Sequence, residues 1–196
     1  MALTKRINGL SNIHVAKMQQ ATNNAVGNPS YETPVPILGA ISANVELSYG
    51  DVAFYADNIA DYIDSIFERG TISLEVSGLT IEEYSLLFGM QSEKGGITAS
   101  NKATAPTVAV LFESKKLGTN ETRKYVIYNC KFKAPSLEAV TNKGTIEESS
   151  ITIEGQCAEL VNGKQYAFID TDAMDADELV IENWYTEVQF LDAITE

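Results

Sequence analysis

The sequence predicts a mainly β protein: an antiparallel sandwich or barrel with one packed α-helix, long loops and terminal arms. Residues 41–48 and residues 71–77 alternate apolar and polar side chains, as strands with one solvated face do. Residues 80–88 show the apolar spacing of a helix. Because helices and strands do not alternate along the chain, a parallel sheet built from β-α-β units is disfavoured.

The 196 residues are predicted to form a single domain with three parts. Residues 1–36 lack regular periodicity and are rich in Asn, Gln, Thr and Pro, which predicts an N-terminal arm or loop. Residues 37–169 carry the strand patterns and form the expected core. Residues 170–196 contain nine acidic and no basic residues, which predicts an acidic C-terminal arm.

The first strand pattern places Ile41, Ala43, Val45 and Leu47 on one face and polar side chains on the other. Residues 51–69 are expected to form a loop, with a short helix around the letters ADYIDSIF. The second pattern then alternates apolar residues with Thr71, Ser73, Glu75 and Ser77.

A helix is predicted directly after the second strand. Thr80 and Glu83 have the spacing of a capping box, in which each side chain binds a free backbone N–H at the helix start. An apolar stripe follows, and Gly89 can adopt the left-handed conformation that ends the helix. This is the one helix predicted with a start signal and a stop signal.

The remaining elements are strands and loops, about seven strands in all. Residues 92–106 are expected to form a flexible loop, and the letters TVAVLFES and KYVIYNCKF form a hairpin that ends at Pro135. A further strand follows in SSITIEGQCAEL. The letters NGK at 162–164 indicate a tight turn, so QYAFID is expected to pair back onto that strand.

The net charge of −13 argues against binding nucleic acid by phosphate neutralisation, which needs clustered Lys and Arg. Close to DNA such a chain would repel the backbone, which is useful only if DNA has to slide past without sticking. We expect neither a signal peptide nor a membrane span, since no apolar run has the required length. Cys130 and Cys157 are expected to be buried thiols, and the compartment is predicted to be the cytoplasm during synthesis.

No catalytic, cofactor-binding or metal-binding residues are predicted. His14 is the only histidine, and no phosphate-binding glycine motif is present. Asp57, Asp61 and Asp64 are interpreted as a solvated helix face. The acidic stretch 170–178 fails as a calcium loop of the EF-hand type, because the sixth position lacks glycine and the twelfth lacks an acid.

The order of five sequence blocks resembles the major tail proteins, or tail tube proteins, of long-tailed siphophages. The resemblance covers roughly residues 37–158. No single block is specific, but the ordered set is. The blocks are FYADN (54–58), GTISLEVSGLTIEEYSLLFG (70–89), APTVAVLFES (105–114), RKYVIYNCKFKAP (123–135) and SSITIEGQC (149–157).

The resemblance implies a structural virion protein without enzymatic activity. Hexameric rings would stack into the hollow tail tube, forming an acidic conduit for DNA ejection. Expected partners are other copies of the chain, the tail terminator, the tape measure and the distal tail proteins, with double-stranded DNA passing without specific binding and no membrane. Assembly is expected in the host cytoplasm, and the final location in the virion tail.

Two sets of site residues are predicted on this basis. Polar side chains of the alternating strands are expected to face the lumen: Glu46, Ser73, Glu75, Ser77 and Glu154. Aromatic and acidic residues of the predicted loop and the C-terminal arm are expected at subunit or ring interfaces: Phe54, Tyr55, Asp57, Tyr62, Trp184 and Tyr185.

Three alternatives remain open from the sequence. A tube protein of a contractile injection or secretion system would share the fold, so the fold does not separate the two. A monomeric adhesion or carbohydrate-binding sandwich would stay monomeric at high concentration. A small hydrolase would need scattered carboxylates to meet in space.

Overall fold

For residues 52–63 only the backbone of the strands is described. The computed structural model otherwise describes residues 6–19, 27–51, 64–101, 103–137 and 150–191. Its elements in chain order are β1 (Ile7–Lys17), β2 (Val35–Pro36), β3 (Ala40–Ala56), β4 (Ile59–Val76), α1 (Ile81–Phe88), β5 (Gln91–Glu93), β6 (Gly96–Thr98), β7 (Val108–Lys116), β8 (Thr122–Phe132), β9 (Ile151–Cys157), β10 (Tyr166–Asp170) and α2 (Glu178–Glu182).

An eight-stranded sheet dominates the fold, in the order β2-β1-β7-β8-β9-β4-β3, and β10 pairs with β8 beside this path. Its recorded pairings are all antiparallel. β8 divides one of its edges between two partners: residues 123–127 pair with β10, and residues 130–132 pair with β9. The mainly β, antiparallel prediction is therefore confirmed.

The main hydrophobic core lies between two parts of this sheet and α1. Strands β4 and β9 contribute Ile72, Leu74 and Ile153, while β1 and β7 contribute Val15 and Val108, all with at most 1% of their surface exposed. Period-two alternation puts these side chains on the inner face of each strand. α1 adds Leu87 and Phe88 from its apolar stripe.

Strands β1, β7 and β8 are buried on both faces. Their alternate residues form a second hydrophobic cluster that includes Leu111, Val126 and Tyr128. Leu160 and the fully buried Trp184 cover that cluster from the C-terminal side. Burial on both faces explains why β7 reads as a continuous apolar run rather than as an alternation.

The helix prediction is confirmed in detail for α1. The side chain of Thr80 accepts a hydrogen bond from the Glu83 backbone N–H, and the Glu83 carboxylate accepts one from the Thr80 N–H. Gly89 lies in the left-handed region at φ 66° and ends the helix. Within the described residues, neither helix combines the length and the apolar character needed to cross a membrane.

The prediction of an irregular N-terminal arm is wrong for residues 7–17, which form β1 in the interior of the sheet. The register of β1 against β7 shifts twice, between Asn8 and Ser11 and between Ser11 and His14. Asn12 adopts a positive φ of 53° at this irregularity. These shifts break the period of two along the strand, which is why the alternation rule missed it.

The prediction of a loop with a short helix at residues 51–69 is also wrong. This stretch continues β3 and β4 as a long antiparallel hairpin, with Val52 opposite Asp64. The turn prediction at NGK led to the wrong partner for β10, which pairs with β8 instead of β9. The predicted loop at 92–106 contains the small hairpin β5–β6.

The C-terminal stretch does not extend away from the domain where it is described. Residues 170–191 pack along the outer face of β1, β7 and β8, with Trp184 at the centre of the contact. Burial of the indole and its apolar neighbours outweighs the acidity of the segment, because its acidic side chains either face solvent or pair with basic side chains of the sheet. Residues 192–196 lie outside the described residues.

Candidate functional site: a polar sheet face and a free strand edge

One face of the sheet formed by β3, β4 and β9 is continuously polar. Directly opposed residues on antiparallel strands point to the same side, so the register defines this face row by row. The three rows run Ser42–Glu75–Thr152, Asn44–Ser73–Glu154 and Glu46–Thr71–Gln156. We call these nine residues the polar face.

The structure thus brings together four of the five residues predicted to face a lumen, Glu46, Ser73, Glu75 and Glu154. Ser77, the fifth, lies just beyond the end of β4 and is exposed. The opposite side chains of the same strands enter the main core. The four residues lie together because polar and apolar residues alternate along all three strands and the strands pair in matching register. A shift of one residue in either pairing would move all side chains of that strand to the opposite face.

Hydrogen bonds link side chains of the polar face to one another and to Ser150. The Glu75 carboxylate accepts from Ser42 at 3.2 Å and from Ser150 at 2.6 Å. Asn44 donates to Glu46 at 3.0 Å. All three hydrogen bonds are exposed, so the face stays hydrated.

Two lysines border this face, Lys131 in β8 and Lys133 just after the end of β8. Lys131 is opposite Gln156 in the register, and the Lys133 N–H donates to the Glu154 carbonyl oxygen at 2.8 Å. Both lysines are exposed. Against the three glutamates of the polar face they leave a local formal charge of −3 + 2 = −1, far smaller than the −13 of the whole chain.

The polar face ends at a free edge. β3 pairs with β4 on one side and, within the described part of the chain, has no strand on its other side. Apolar side chains are exposed along this edge: Ile41, the unpaired residue at the register shift between Ala40 and Ser42, is 53% exposed, and Tyr49 is 48% exposed. Long edges with apolar side chains are templates for pairing with another chain.

The outer half of the β3–β4 hairpin stands beyond the rest of the sheet. β9 pairs with β4 only at Gly70–Val76, so the part from Tyr49 to Phe67 is a two-stranded ribbon. Tyr49 and Phe67 pack edge to face at 5.7 Å near its base. A two-stranded ribbon has marginal stability alone, which favours support from a neighbouring surface.

Three of the predicted interface aromatics belong to this ribbon by backbone position. Phe54 is opposite Tyr62, and Tyr55 is opposite Ala60. Their side chains lie outside the described residues, as does Asp57 altogether. Their assignment to an interface stays a prediction.

The predicted interface residues Trp184 and Tyr185 both pack on their own chain, and for the partly buried Tyr185 a place at an interface stays a prediction. Trp184 is fully buried in its own chain, so its side chain has no area left for a neighbouring copy. The Tyr185 hydroxyl donates to Glu113 at 3.0 Å, and its ring packs on His14 at 4.5 Å. Burial, with the nearby Glu113 carboxylate, raises the pKa of Tyr185. Both residues fasten the C-terminal segment to the domain.

Sequence reasoning missed the ionic cluster that holds the same segment. Lys116, with 2% of its side chain exposed, pairs with Asp170 at 3.1 Å and with Asp172. Arg123 binds Asp170 with two hydrogen bonds, at 2.6 and 2.8 Å. Two of the aspartates considered above for a calcium loop, Asp170 and Asp172, are therefore partners of basic side chains from β7 and β8.

No candidate metal site is found in the part of the chain described here. It contains no group of three or more His, Cys, Asp or Glu that could hold a metal ion. His14 contacts the backbone oxygen of Asn12 at 3.0 Å and packs on Tyr185. Of the three aspartates interpreted as a helix face, only the Asp64 side chain is described, and it is exposed on β4.

Comparison with known proteins shows a family and likenesses to solved structures. The chain is similar to a solved structure of the tube-terminating cap of the anti-feeding prophage, at 12% identity and a TM-score of 0.46, covering 86% of this chain and 94% of that chain. No curated protein matches the sequence. The family model described as phage tail tube protein matches residues 9–178.

That match spans the strands of the main sheet, the polar face and the free edge of β3. The family is structural, and its members are components of the virion tail that assemble into a tube. The chain belongs to the phage tail tube protein family.

Proposed function

We propose that this chain is the tube subunit of a long-tailed phage, that copies close into hexameric rings, and that stacked rings form the hollow tail tube. The observation that carries the proposal is the free edge of β3 beside the continuous polar face. A sheet with one wet face and one open edge becomes a closed barrel when neighbouring copies join edge to edge. The wet faces then surround a common channel.

The polar face suits the wall of a channel for DNA. Its hydroxyl, amide and carboxylate groups are well hydrated, and Glu46, Glu75 and Glu154 repel phosphate. Lys131 and Lys133 lie at one border rather than in a cluster, so they cannot grip the backbone as a basic patch does. DNA would pass through this acidic conduit during ejection without specific binding.

We assign the contacts between stacked rings to the β3–β4 ribbon. Phe54, Tyr55 and Tyr62 belong by backbone position to the end of the hairpin farthest from the sheet. In this proposal they contact a neighbouring ring or subunit, together with Asp57. At the ends of the tube the tail terminator and the distal tail proteins would bind, and the tape measure would occupy the lumen during assembly. Assembly would take place in the host cytoplasm.

Electron microscopy of the purified full chain over a range of concentrations and salt tests the proposal. Rings and tubes are expected as concentration rises. Ile41→Lys adds charge at an exposed apolar position of the free edge and should leave the chain folded but monomeric. Val161→Lys changes a residue that is 65% exposed in the turn after β9, away from that edge, and should assemble normally.

A chain that remains monomeric under every condition would contradict the proposal and favour a monomeric binding sandwich. Equal assembly of the Ile41 and Val161 variants would remove the β3 edge from the interface. Tubes found beneath a contractile sheath would assign the chain to an injection system instead of a siphophage tail.

A further inference from the structure

Cys130 and Cys157 are directly opposite each other on β8 and β9. Their sulfur atoms lie 3.0 Å apart, both thiols are free, and both side chains point into the main core. They are 27 positions apart in the sequence. Two thiols this close in a single chain have the proximity that covalent bond formation requires.

The backbone around them supplies the right geometry. The Ala158 N–H donates to the Asn129 oxygen at 2.9 Å, and the Lys133 N–H donates to the Glu154 oxygen at 2.8 Å. These hydrogen-bonded pairs recur at every second position, so Cys130 and Cys157 occupy a non-hydrogen-bonded pair between them. The Cα atoms of such a pair are about 4.5 Å apart, inside the range of about 4.4–6.8 Å found for disulfides.

We propose that Cys130 and Cys157 are a modification site, at which an intrachain disulfide forms when the folded protein meets a small disulfide such as oxidised glutathione. One cysteine thiolate attacks a sulfur of the small disulfide and expels one glutathione thiolate. The second cysteine thiolate then attacks the mixed disulfide and expels the other. The cysteine pair loses two protons and two electrons, and one oxidised glutathione becomes two reduced molecules.

The position of this pair in the sheet gives the bond a structural consequence. β8–β9 pairing is the junction between β2-β1-β7-β8 and β9-β4-β3, and its register contains three residue pairs. A disulfide there would tie the half that carries the polar face to the half that carries the C-terminal segment. Because both sulfurs face the core, the outer surface would keep its shape and charge.

Burial makes the reaction slow in the native state. Burial away from water raises the pKa of the Cys130 thiol, and the adjacent Cys157 thiol raises it further. The reactive thiolate form is therefore scarce. Oxidant must reach the sulfurs through an opening of the β8–β9 junction. The thiols therefore stay reduced in a reducing cytoplasm and oxidise slowly outside it.

The test is a redox equilibrium measured on the full chain. Denatured reduced protein is refolded in glutathione redox buffers, so access to the sulfurs is not limiting, and a second series stays in urea. After acid quenching and alkylation, an intrachain disulfide appears as a loss of about 2 Da per chain, and peptide mapping must join Cys130 to Cys157. We expect the equilibrium constant to favour the disulfide at least about tenfold more in the folded series.

Cys130→Ser and Cys157→Ser are the matched controls, since each leaves one thiol and cannot form the bond. The oxidised wild-type chain should melt about 5–10 °C above its reduced form, and neither variant should show that shift. An equilibrium constant no larger in the folded series than in urea would overturn the proposal. A disulfide that joins two chains would overturn it as well. Neither outcome bears on tube formation, so this inference stands apart from the proposed function.

Discussion

Arg123 on β8 holds Asp170 at the end of β10 with two parallel hydrogen bonds, from Nε to Oδ1 at 2.6 Å and from Nη2 to Oδ2 at 2.8 Å. The same carboxylate contacts the ammonium group of the buried Lys116 at 3.1 Å. Asp170 is thus the shared partner of two cations from different strands, and it marks where the C-terminal segment leaves the sheet. Bidentate pairing of this kind is stronger than a single surface contact.

Asp170→Asn should destabilise the fold by about 2 kcal/mol, because it leaves Lys116 with one carboxylate partner and Arg123 without its anion. The value is lower than for a fully buried pair, since Asp170 keeps 23% of its side-chain exposure. Urea unfolding of the two proteins measures the difference. Asp175→Asn is the control: it removes an exposed acid of the same segment and should change little. Equal losses for both variants would show that the cluster contributes nothing.

Acid should weaken the fold through the same carboxylate. Hydrogen bonds from Arg123 lower the pKa of Asp170, burial opposes this, and Lys116 lowers it further. A carboxyl whose folded pKa lies below its unfolded value stabilises the fold above the unfolded pKa of about 3.9 and loses that contribution as pH falls through the folded value. The unfolding free energy, measured from about pH 6 down to about pH 2, should therefore fall less steeply for Asp170→Asn than for wild type. Parallel curves would contradict the assignment.

Gly155→Ala should disturb the junction of β8, β9 and β4. A Cβ at this position would lie 2.8 Å from Phe132, 2.9 Å from Ile72 and 3.0 Å from the Lys131 backbone oxygen. Side chains and backbone must move apart to admit it, so we expect a loss of about 2 kcal/mol in the free energy of unfolding. In Gly78→Ala the added Cβ meets open space. That control should unfold at nearly the wild-type denaturant concentration, and an equally stable Gly155 variant would show that the junction is loosely packed.

Reversing the charge of the polar face should affect DNA passage more than assembly. Glu46→Lys, Glu75→Lys and Glu154→Lys together change the local formal charge of this face and its lysine border from −1 to −1 + 6 = +5, which attracts phosphate to the wall. Phage carrying this triple variant should form tails of normal length yet eject DNA more slowly, measured by dye release after receptor triggering.

The matched control reverses three exposed acids on the helices, Glu82, Glu178 and Glu182. It changes the total charge equally and should leave ejection unchanged. Normal ejection by the polar-face variant would place these glutamates away from the lumen. Slow ejection by both variants would indicate an effect of total charge instead of wall charge.

Local patterns were enough to predict α1 and the polar face. The capping box at Thr80 and the left-handed position of Gly89 depend on contacts within a few residues, so neither needed tertiary information. Alternation from Thr71 to Val76 likewise predicted which side chains are buried. The polar face required one more condition, the pairing of three such strands in matching register, and the period of two supplied it.

Only the tertiary structure decided the places of β1, the β3–β4 ribbon and the C-terminal segment. β1 contains two register shifts that erase its alternation, yet its pairing with β7 buries it completely on both faces around Val15. The sequence of the ribbon resembles that of an acidic loop. Its two strands pair with no third strand among the described residues, so they do not need one apolar face.

The acidic C-terminal stretch reads as an arm, although the burial of Trp184 and the partners of Asp170 attach it to the sheet. Local sequence therefore determined where helices and strands with one buried face occur. Contacts between residues far apart in the sequence determined which strands pair and which segments pack. Hydrophobic burial and ion pairing depend on those distant partners, and no local pattern records them.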